Sequence, residues 1–160
     1  MPLDHLEHFL IQTADLAGTV RWWSEVVGLR PGYTPDFKFP VQWMYLGERD
    51  VLHLTEGGAG VSANRLAYLG QQSTATRGSG VIDHVAFRAR DLAGTLAHLR
   101  AQGIAFTERM VSDQGLYQVF FLDPNGVKVE LNFANAEALA LGAGGALKAS
   151  DLPAAARPST

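Results

Sequence analysis

The sequence predicts an α+β fold assembled from two tandem βαβββ modules. Three observations carry this expectation. Residues 8–19 (HFLIQTADLAGT) and 84–95 (HVAFRARDLAGT) are identical at six of twelve positions, at an offset of 76 and without a gap. A self-match at fixed spacing marks a duplicated structural unit. In each copy an alternating stretch leads to an aspartate, then to an amphipathic stretch, then to a glycine, which is the punctuation of a strand followed by a capped helix. Further strand-like runs follow each helix, and the last two in the second copy flank Asp123-Pro124-Asn125-Gly126, a strong turn signal.

Taken in order, His8–Thr13 and His84–Ala89 read as first strands. Asp15 and Asp91 follow as N-caps, because a short carboxylate accepts from the unpaired amides of a first helical turn. The helices are expected over Leu16–Val27 and Leu92–Gln102, ending at Gly28 and Gly103, where positive φ is available to glycine. Gly18 and Gly94 weaken both helices. The remaining strands are expected near 30–35, 41–47 and 50–56, then near 105–111, 116–122 and 127–133. The expected organisation is a first module over 1–57, a Gly-, Ser- and Thr-rich connection over 58–80 suited to a lid, and a second module over 81–134. A short helix and an Ala-, Gly- and Pro-rich loose tail complete the chain over 135–160, all within one domain.

Composition narrows the chemistry. The 160 residues are 47% hydrophobic and 18% charged, with a formal net charge of -3. No basic field is available to gather phosphates, so nucleic acid is not an expected partner. The absence of cysteine removes disulfides, thiolate zinc sites and cysteine nucleophiles, so a metal would rest on histidine, carboxylate or water. Neither a signal peptide nor a membrane span is recognisable, and a soluble cytoplasmic protein is expected.

The pattern resembles the vicinal-oxygen-chelate superfamily, which includes glyoxalase I, fosfomycin-resistance proteins, bleomycin-resistance proteins and extradiol dioxygenases. The resemblance covers about residues 4–134. It is carried by His8 before Asp15-Leu16, by Trp22-Trp23-Ser24-Glu25-Val26-Val27-Gly28-Leu29, and by His84 before Asp91-Leu92. Its most specific part is Phe121-Leu122-Asp123-Pro124-Asn125-Gly126-Val127-Lys128-Val129-Glu130-Leu131. It implies two βαβββ modules whose mixed sheets form a metal-holding cup, with His8, His84 and Glu130 as ligands. It also draws in the last strand of the first module, where His53 stands at a position that is glutamate in many relatives. A homodimer sharing sites between chains is implied as well.

Strand parity is consistent with these placements. Side chains alternate between faces, so Glu130 shares a face with Lys128 and Asn132, His84 with Ala86 and Arg88, and His8 with Leu10 and Gln12. His53 aligns with Val51 and Thr55, while Glu56 falls on the opposite face. Arg88, Tyr117, Phe120, Lys128 and Asn132 are candidate substrate contacts. Tyr45, Tyr117 and Trp43 are candidates for an aromatic pocket, and the sequence leaves their facing open. His5 and His98 are read as non-ligands, and Trp22 and Trp23 as core or dimer contacts.

Two imidazoles and a carboxylate leave coordination positions open. That suits Fe(II) or Mn(II) first, with Zn(II), Ni(II) or Co(II) also compatible. Glyoxalase-like isomerases carry two carboxylates, and His53 occupies the place of one. Fosfomycin transferases carry a Thr where this chain has Leu10, and an Arg where it has Leu139. Extradiol enzymes add an acid–base histidine near the position of His53, but tend to carry a Tyr where this chain has Phe120. The expectation is a metal-dependent enzyme on a small organic substrate chelated through vicinal oxygens. A ring-cleaving dioxygenase with His53 as catalytic residue is favoured. An isomerase or lyase, and a metal-free antibiotic-binding protein, are the alternatives.

Overall fold

The structure is a computed structural model that describes residues 6–58, 61–69, 75, 77–80, 82–111, 114–143 and 147–148. Two compact units are present. The first comprises Met1–Asp83 with Asp123–Val127, the second His84–Leu122 with Lys128–Thr160. His5 lies outside the described residues, as do 144–146 and 149–160 of the expected tail.

In the first unit, β1 (Phe9–Thr13) leads into α1 (Leu16–Trp22), which continues as a π-helical turn over Trp23–Val27. The strands β2 (Arg30–Pro31), β3 (Val41–Leu46) and β4 (Arg49–Glu56) complete a sheet in the order β1-β4-β3-β2. β1 runs parallel to β4, and β3 is antiparallel to both β4 and β2. β2 is far shorter than the 30–35 run expected.

The aspartate caps form as expected. Asp15 accepts from the Gly18 amide at 2.9 Å and Asp91 from the Gly94 amide at 3.1 Å. They also explain the helical glycines. A Cβ on Gly18 would lie 2.1 Å from the Asp15 carboxylate, and one on Gly94 2.3 Å from that of Asp91. These glycines make room for the caps. The wide π turn keeps Trp23 directed inward, where it is fully buried with Leu29, Met44, Leu52 and Leu54. Its indole Nε1 donates to Asp123 at 3.2 Å. Asp123 also accepts from the amides of Asn125 and Val127, each at 2.8 Å, so the Asp-Pro-Asn-Gly turn is built on one buried carboxylate.

The connecting segment contains a helix, α2 (Ala63–Leu69), rather than loop alone. Ser62 caps it, since its Oγ accepts from the Arg65 amide at 3.3 Å. Glu56 in turn accepts from the Ser62 amide and hydroxyl. Tyr68 packs on Phe37, with ring centroids 5.0 Å apart. Local capping and an aromatic contact thus hold a helix in a stretch whose composition reads as linker.

The second unit repeats the plan. β5 (His84–Arg88), α3 (Leu92–Ala101), β6 (Phe106–Val111), β7 (Leu116–Leu122) and β8 (Lys128–Ala134) form a sheet ordered β5-β8-β7-β6. Leu147–Lys148 add β9, parallel to β6, within the stretch expected to be loose. Leu92, Leu96 and Leu99 of α3 bury with Val119, Phe121, Val129 and Phe133 of the unit. Full burial of such side chains contributes roughly 1.5–3 kcal/mol each. α4 (Asn135–Ala140) supplies Glu137, whose carboxylate accepts from the Leu92 amide at 2.8 Å and completes the start of α3.

Candidate functional site

The duplicated topology makes the two sheets comparable residue by residue. Leu10 of β1 pairs with His53 of β4, and Ala86 of β5 pairs with Glu130 of β8. Ala86 is Leu10 displaced by the repeat offset of 76, so His53 and Glu130 hold equivalent positions. Trp43, opposite His53, is matched by Phe120, opposite Glu130. Each unit therefore presents a histidine at or just before the start of its first strand and a polar side chain on its last strand, with an aromatic ring next to the latter.

In the second unit Glu130 is 5% exposed. Its Oε1 accepts from Gln118 Nε2 at 2.8 Å and from Asn132 Nδ2 at 2.6 Å. Its Oε2 stands 3.1 Å from His84 Nε2. Gln118 is oriented by Arg109, whose Nε donates to Oε1 of the amide at 2.7 Å. The same guanidinium lies 4.9 Å over the Phe120 ring, and that ring stands edge-on to His84. Two donors on adjacent corners of an octahedron with bonds near 2.1 Å stand about 3.0 Å apart. The observed His84–Glu130 separation fits that spacing, and the opposite carboxylate oxygen is already held by amides, as oriented metal-binding carboxylates are.

Among the expected substrate contacts, Arg88, Phe120, Lys128 and Asn132 share the face of Glu130. Arg88 pairs with Asn132, and Lys128 with His84. Tyr117 does not share it. It pairs with Phe133 on the helix side, is 1% exposed, and donates its hydroxyl to Glu108 at 2.8 Å. Burial and that bond push its pKa up to about 12. Alternation along β7 turns Gln118 toward Glu130 instead, and this contact was missed. The hairpin register carries the signal, because residues paired across the turn share a face.

In the first unit the His8 and His53 rings stack with centroids 3.7 Å apart. Trp43 stacks on the other side of His53 at 4.2 Å and 2°. His53 Nε2 stands 2.8 Å from Asp50 Oδ2. Burial lowers the His53 pKa, against the raising effect of the Asp50 bond. That same bond holds Asp50 below its ordinary carboxylate range. The pairing places the imidazole proton on Nε2 and leaves Nδ1 as the accepting nitrogen. His8 Nδ1 is buried and makes no hydrogen bond among the described residues, with Glu7 Oε2 3.8 Å away. His8, Asp50 and His53 offer ligand atoms within 4.8 Å of one another, a histidine and carboxylate donor set that suits a divalent cation.

Asp50 was not expected in the site, because parity along an unbroken strand sets it opposite His53. A β-bulge resolves this. Met44 pairs with Leu52 and Tyr45 with Asp50, so Val51 is the extra residue. The added residue reverses the alternation and turns Asp50 to the side of His53. Val51 correspondingly leaves the regular alternation assumed from the sequence.

A cavity of about 410 Å³ opens over this face, lined by Glu7, His8, Leu10, Phe37, Phe39, Val41, Trp43, Asp50, His53, Thr55 and Tyr68. Trp43 thus joins the pocket as expected, whereas Tyr45 turns away to donate to the Tyr33 carbonyl at 2.8 Å. His98 lies exposed on α3, and Trp23 is core.

These features belong to a recognisable class. The chain is a member of the Glyoxalase/Bleomycin resistance protein/Dioxygenase superfamily, whose family model matches residues 5–131. Among solved structures it resembles a lactoylglutathione lyase from Agrobacterium tumefaciens, at 20% identity and a TM-score of 0.61, over 83% of this chain and 96% of that one. A genomically encoded fosfomycin resistance protein from Listeria monocytogenes aligns at 14% identity and a TM-score of 0.60, over 83% and 95%. An antibiotic binding protein from Streptomyces sp. CB03234 aligns at 18% and 0.59, over 84% and 98%. At these identities the likeness is one of fold. No curated protein matches the sequence. No helix among the described residues is long and apolar enough to cross a membrane.

Proposed function

We propose that the chain is a divalent-metal-dependent enzyme acting on a small organic substrate through two vicinal oxygens. His8, His84 and Glu130 are its ligands, and His53 is its acid–base residue. The observation that carries this reading is the 3.1 Å spacing of His84 Nε2 and Glu130 Oε2, with Glu130 Oε1 tied to Gln118 and Asn132. The buried Nδ1 of His8, with no hydrogen bond among the described residues and only the Glu7 carboxylate 3.8 Å away, supports it from the first unit. A divalent ion bound there would supply a Lewis acid, and as Fe(II) also a centre for O2 chemistry.

The chain's own groups then divide the work. His53, neutral because burial lowers its pKa and held through Nε2 by Asp50, receives a substrate proton at Nδ1. Trp43, Phe37, Phe39 and Tyr68 give the cavity an aromatic wall that orients a planar ring and excludes water. A planar, ring-bearing substrate and a neutral base favour ring-cleaving dioxygenase chemistry over isomerisation. A homodimer is proposed with this reading, from the resemblance alone. Oxygen uptake tests the reaction: protein loaded anaerobically with Fe(II), mixed with a catechol panel and then air, consumes O2 and His53→Gln abolishes consumption. Exchange of solvent deuterium into a 2-oxo or thioester substrate without O2 uptake would instead assign an isomerase or lyase. The aromatic wall favours one second reading, small-molecule binding without turnover. Metal-independent ligand affinity that is unchanged in Glu130→Ala would select it.

A further inference from the structure

We propose that Arg109 and Arg88 form an anion-recognition row beside Glu130 on the open face of the second sheet, so that the substrate carries a carboxylate in addition to its chelating oxygens. Strand pairing sets the row. Arg88 on β5 pairs with Asn132 on β8, Asn132 with Gln118 on β7, and Gln118 with Arg109 on β6. Paired residues share a face, so all four side chains stand on the side of Glu130. Arg109 leans inward along the row. Its Nε donates to Gln118 Oε1 at 2.7 Å, and its guanidinium lies 4.9 Å over the Phe120 ring. Its Nη2 donates to the same Gln118 oxygen. Nη1 makes no hydrogen bond among the described residues and is open to solvent. A guanidinium is always charged and carries five donors in a planar fork. Gln118 and Phe120 therefore hold Arg109 by its side edge and one ring face, and the Nη1–Nη2 end stays available to a ligand.

A purely structural arginine in this place is expected to be paired with a carboxylate of the chain. Neither Arg109 nor Arg88 forms an ion pair among the described residues. Glu130, which shares their face, gives Oε1 to Gln118 and Asn132 and directs Oε2 to His84. Arg109 is half-buried with only a neutral amide as acceptor, which leaves its charge uncompensated. Arg88 is exposed, as are His84 and Ala86 on the same side of β5, so a ligand reaches this face. Lys128 shares the face but pairs with His84, on the far side of Glu130 from the row. Asn132 follows Glu130 by two residues, which sets the row roughly 6.6 Å from Glu130 along the strand. An aromatic ring spans that gap, with its vicinal oxygens toward His84 and Glu130 and its carboxylate toward the arginines. The planar fork of an arginine matches a carboxylate in shape and charge. The inference rests on the reading that His84 and Glu130 hold the metal that chelates the substrate, and it adds the substrate's charge.

The test compares 3,4-dihydroxybenzoate with 3,4-dihydroxybenzamide, which share ring and vicinal oxygens but differ in charge. Binding is measured by calorimetry on protein saturated with Zn(II), which supports no O2 chemistry. Wild type is expected to bind the carboxylate at least about tenfold more tightly than the amide, the scale of charge-assisted hydrogen bonds. Arg109→Met is expected to bring the ratio of the two affinities near one, and Arg109→Lys to keep part of it. Arg88→Met is expected to lower the ratio roughly two- to fivefold, as for an exposed ion pair. Any weakening of the metal site through Gln118 affects both probes alike and leaves the ratio unchanged, so the ratio reports the row alone. Equal affinity of wild type for the two probes would overturn the proposal without any variant. So would a ratio that survives in the folded Arg88→Met, Arg109→Met double variant. If neither dihydroxy compound binds, the chelation reading fails by itself, and benzoate against benzamide on chelator-treated protein decides the row. A preference for benzoate that the double variant loses would uphold it, and no preference would overturn it.

Discussion

Replacing Gln118 with methionine probes how Glu130 is held. The side chain keeps its length and apolar body but loses the amide. In the native arrangement Glu130 Oε1 accepts from Gln118 at 2.8 Å and from Asn132 at 2.6 Å. Glu130 is 5% exposed and Gln118 7%, so water replaces the lost donor poorly. A hydrogen bond to a charged group contributes about 1.5–3 kcal/mol. With one of two donors gone, the carboxylate rotates more freely and Oε2 is less often aimed at His84. Each 1.4 kcal/mol is tenfold in affinity, so the expected loss in metal binding is about 10–100-fold, the range found for groups that orient ligating side chains. Arg109 reaches Glu130 through Gln118, donating to its carbonyl at 2.7 Å. Arg109→Met is therefore expected to weaken binding less, and the double variant to bind no worse than Gln118→Met alone. Competition with a chromophoric chelator for Mn(II) or Zn(II) measures these affinities, and thermal melts check the fold. Wild-type affinity in a folded Gln118→Met protein would refute the reasoning about orientation. Additive losses in the double variant would refute the order of the Arg109–Gln118–Glu130 chain.

Three further outcomes follow from the geometry. Gly94→Ala, which at an ordinary helix position would add about 1 kcal/mol of stability, is expected to destabilise, because the new Cβ would meet the Asp91 carboxylate at 2.3 Å. Denaturant melts of Gly94→Ala and of the Asp91→Ala, Gly94→Ala pair check it, since removing the cap should relieve the clash. Asp123→Ala strips acceptors from the amides of Asn125 and Val127 and from the Trp23 indole. Its expected cost is about 3–5 kcal/mol, the scale of breaking a buried charged network, and a loss below 1 kcal/mol on urea melts would contradict the assignment. Tyr117 has its pKa raised from 10.0 to about 12 by burial and by Glu108. Folding therefore favours the neutral phenol, whose stabilising contribution is complete below pH 10 and is lost as pH rises toward 12. That contribution is at most about 2–3 kcal/mol, and Tyr117→Phe should remove this slope from stability measured between those pH values.

The sequence was most informative where structure is local. Asp15 and Asp91 are legible as caps because a carboxylate before an amphipathic run has one favourable use, and Gly28 and Gly103 take the expected φ of 85° and 67°. The facing of Lys128 and Asn132 beside Glu130 was legible by simple alternation. Tyr117 was misplaced although the same alternation, carried across the hairpin, excludes it and singles out Gln118. Asp50 is different in kind. Its facing depends on the bulge at Val51, an irregularity set by how β3 and β4 pair rather than by any residue nearby. The helix at Ala63–Leu69 depends on long-range partners, Phe37 beneath Tyr68 and Glu56 beneath Ser62, which composition does not reveal.

Metal content measures the central claim most directly. Protein prepared without chelator is analysed for bound ions alongside His8→Ala, His84→Ala, Glu130→Ala and Asp50→Asn. Stoichiometric metal in wild type, lost from the first three variants and retained in Asp50→Asn, is the predicted result. Full metal in a folded Glu130→Ala protein, or loss confined to His8→Ala and Asp50→Asn, would contradict it and move the ion to the His8–Asp50–His53 cluster.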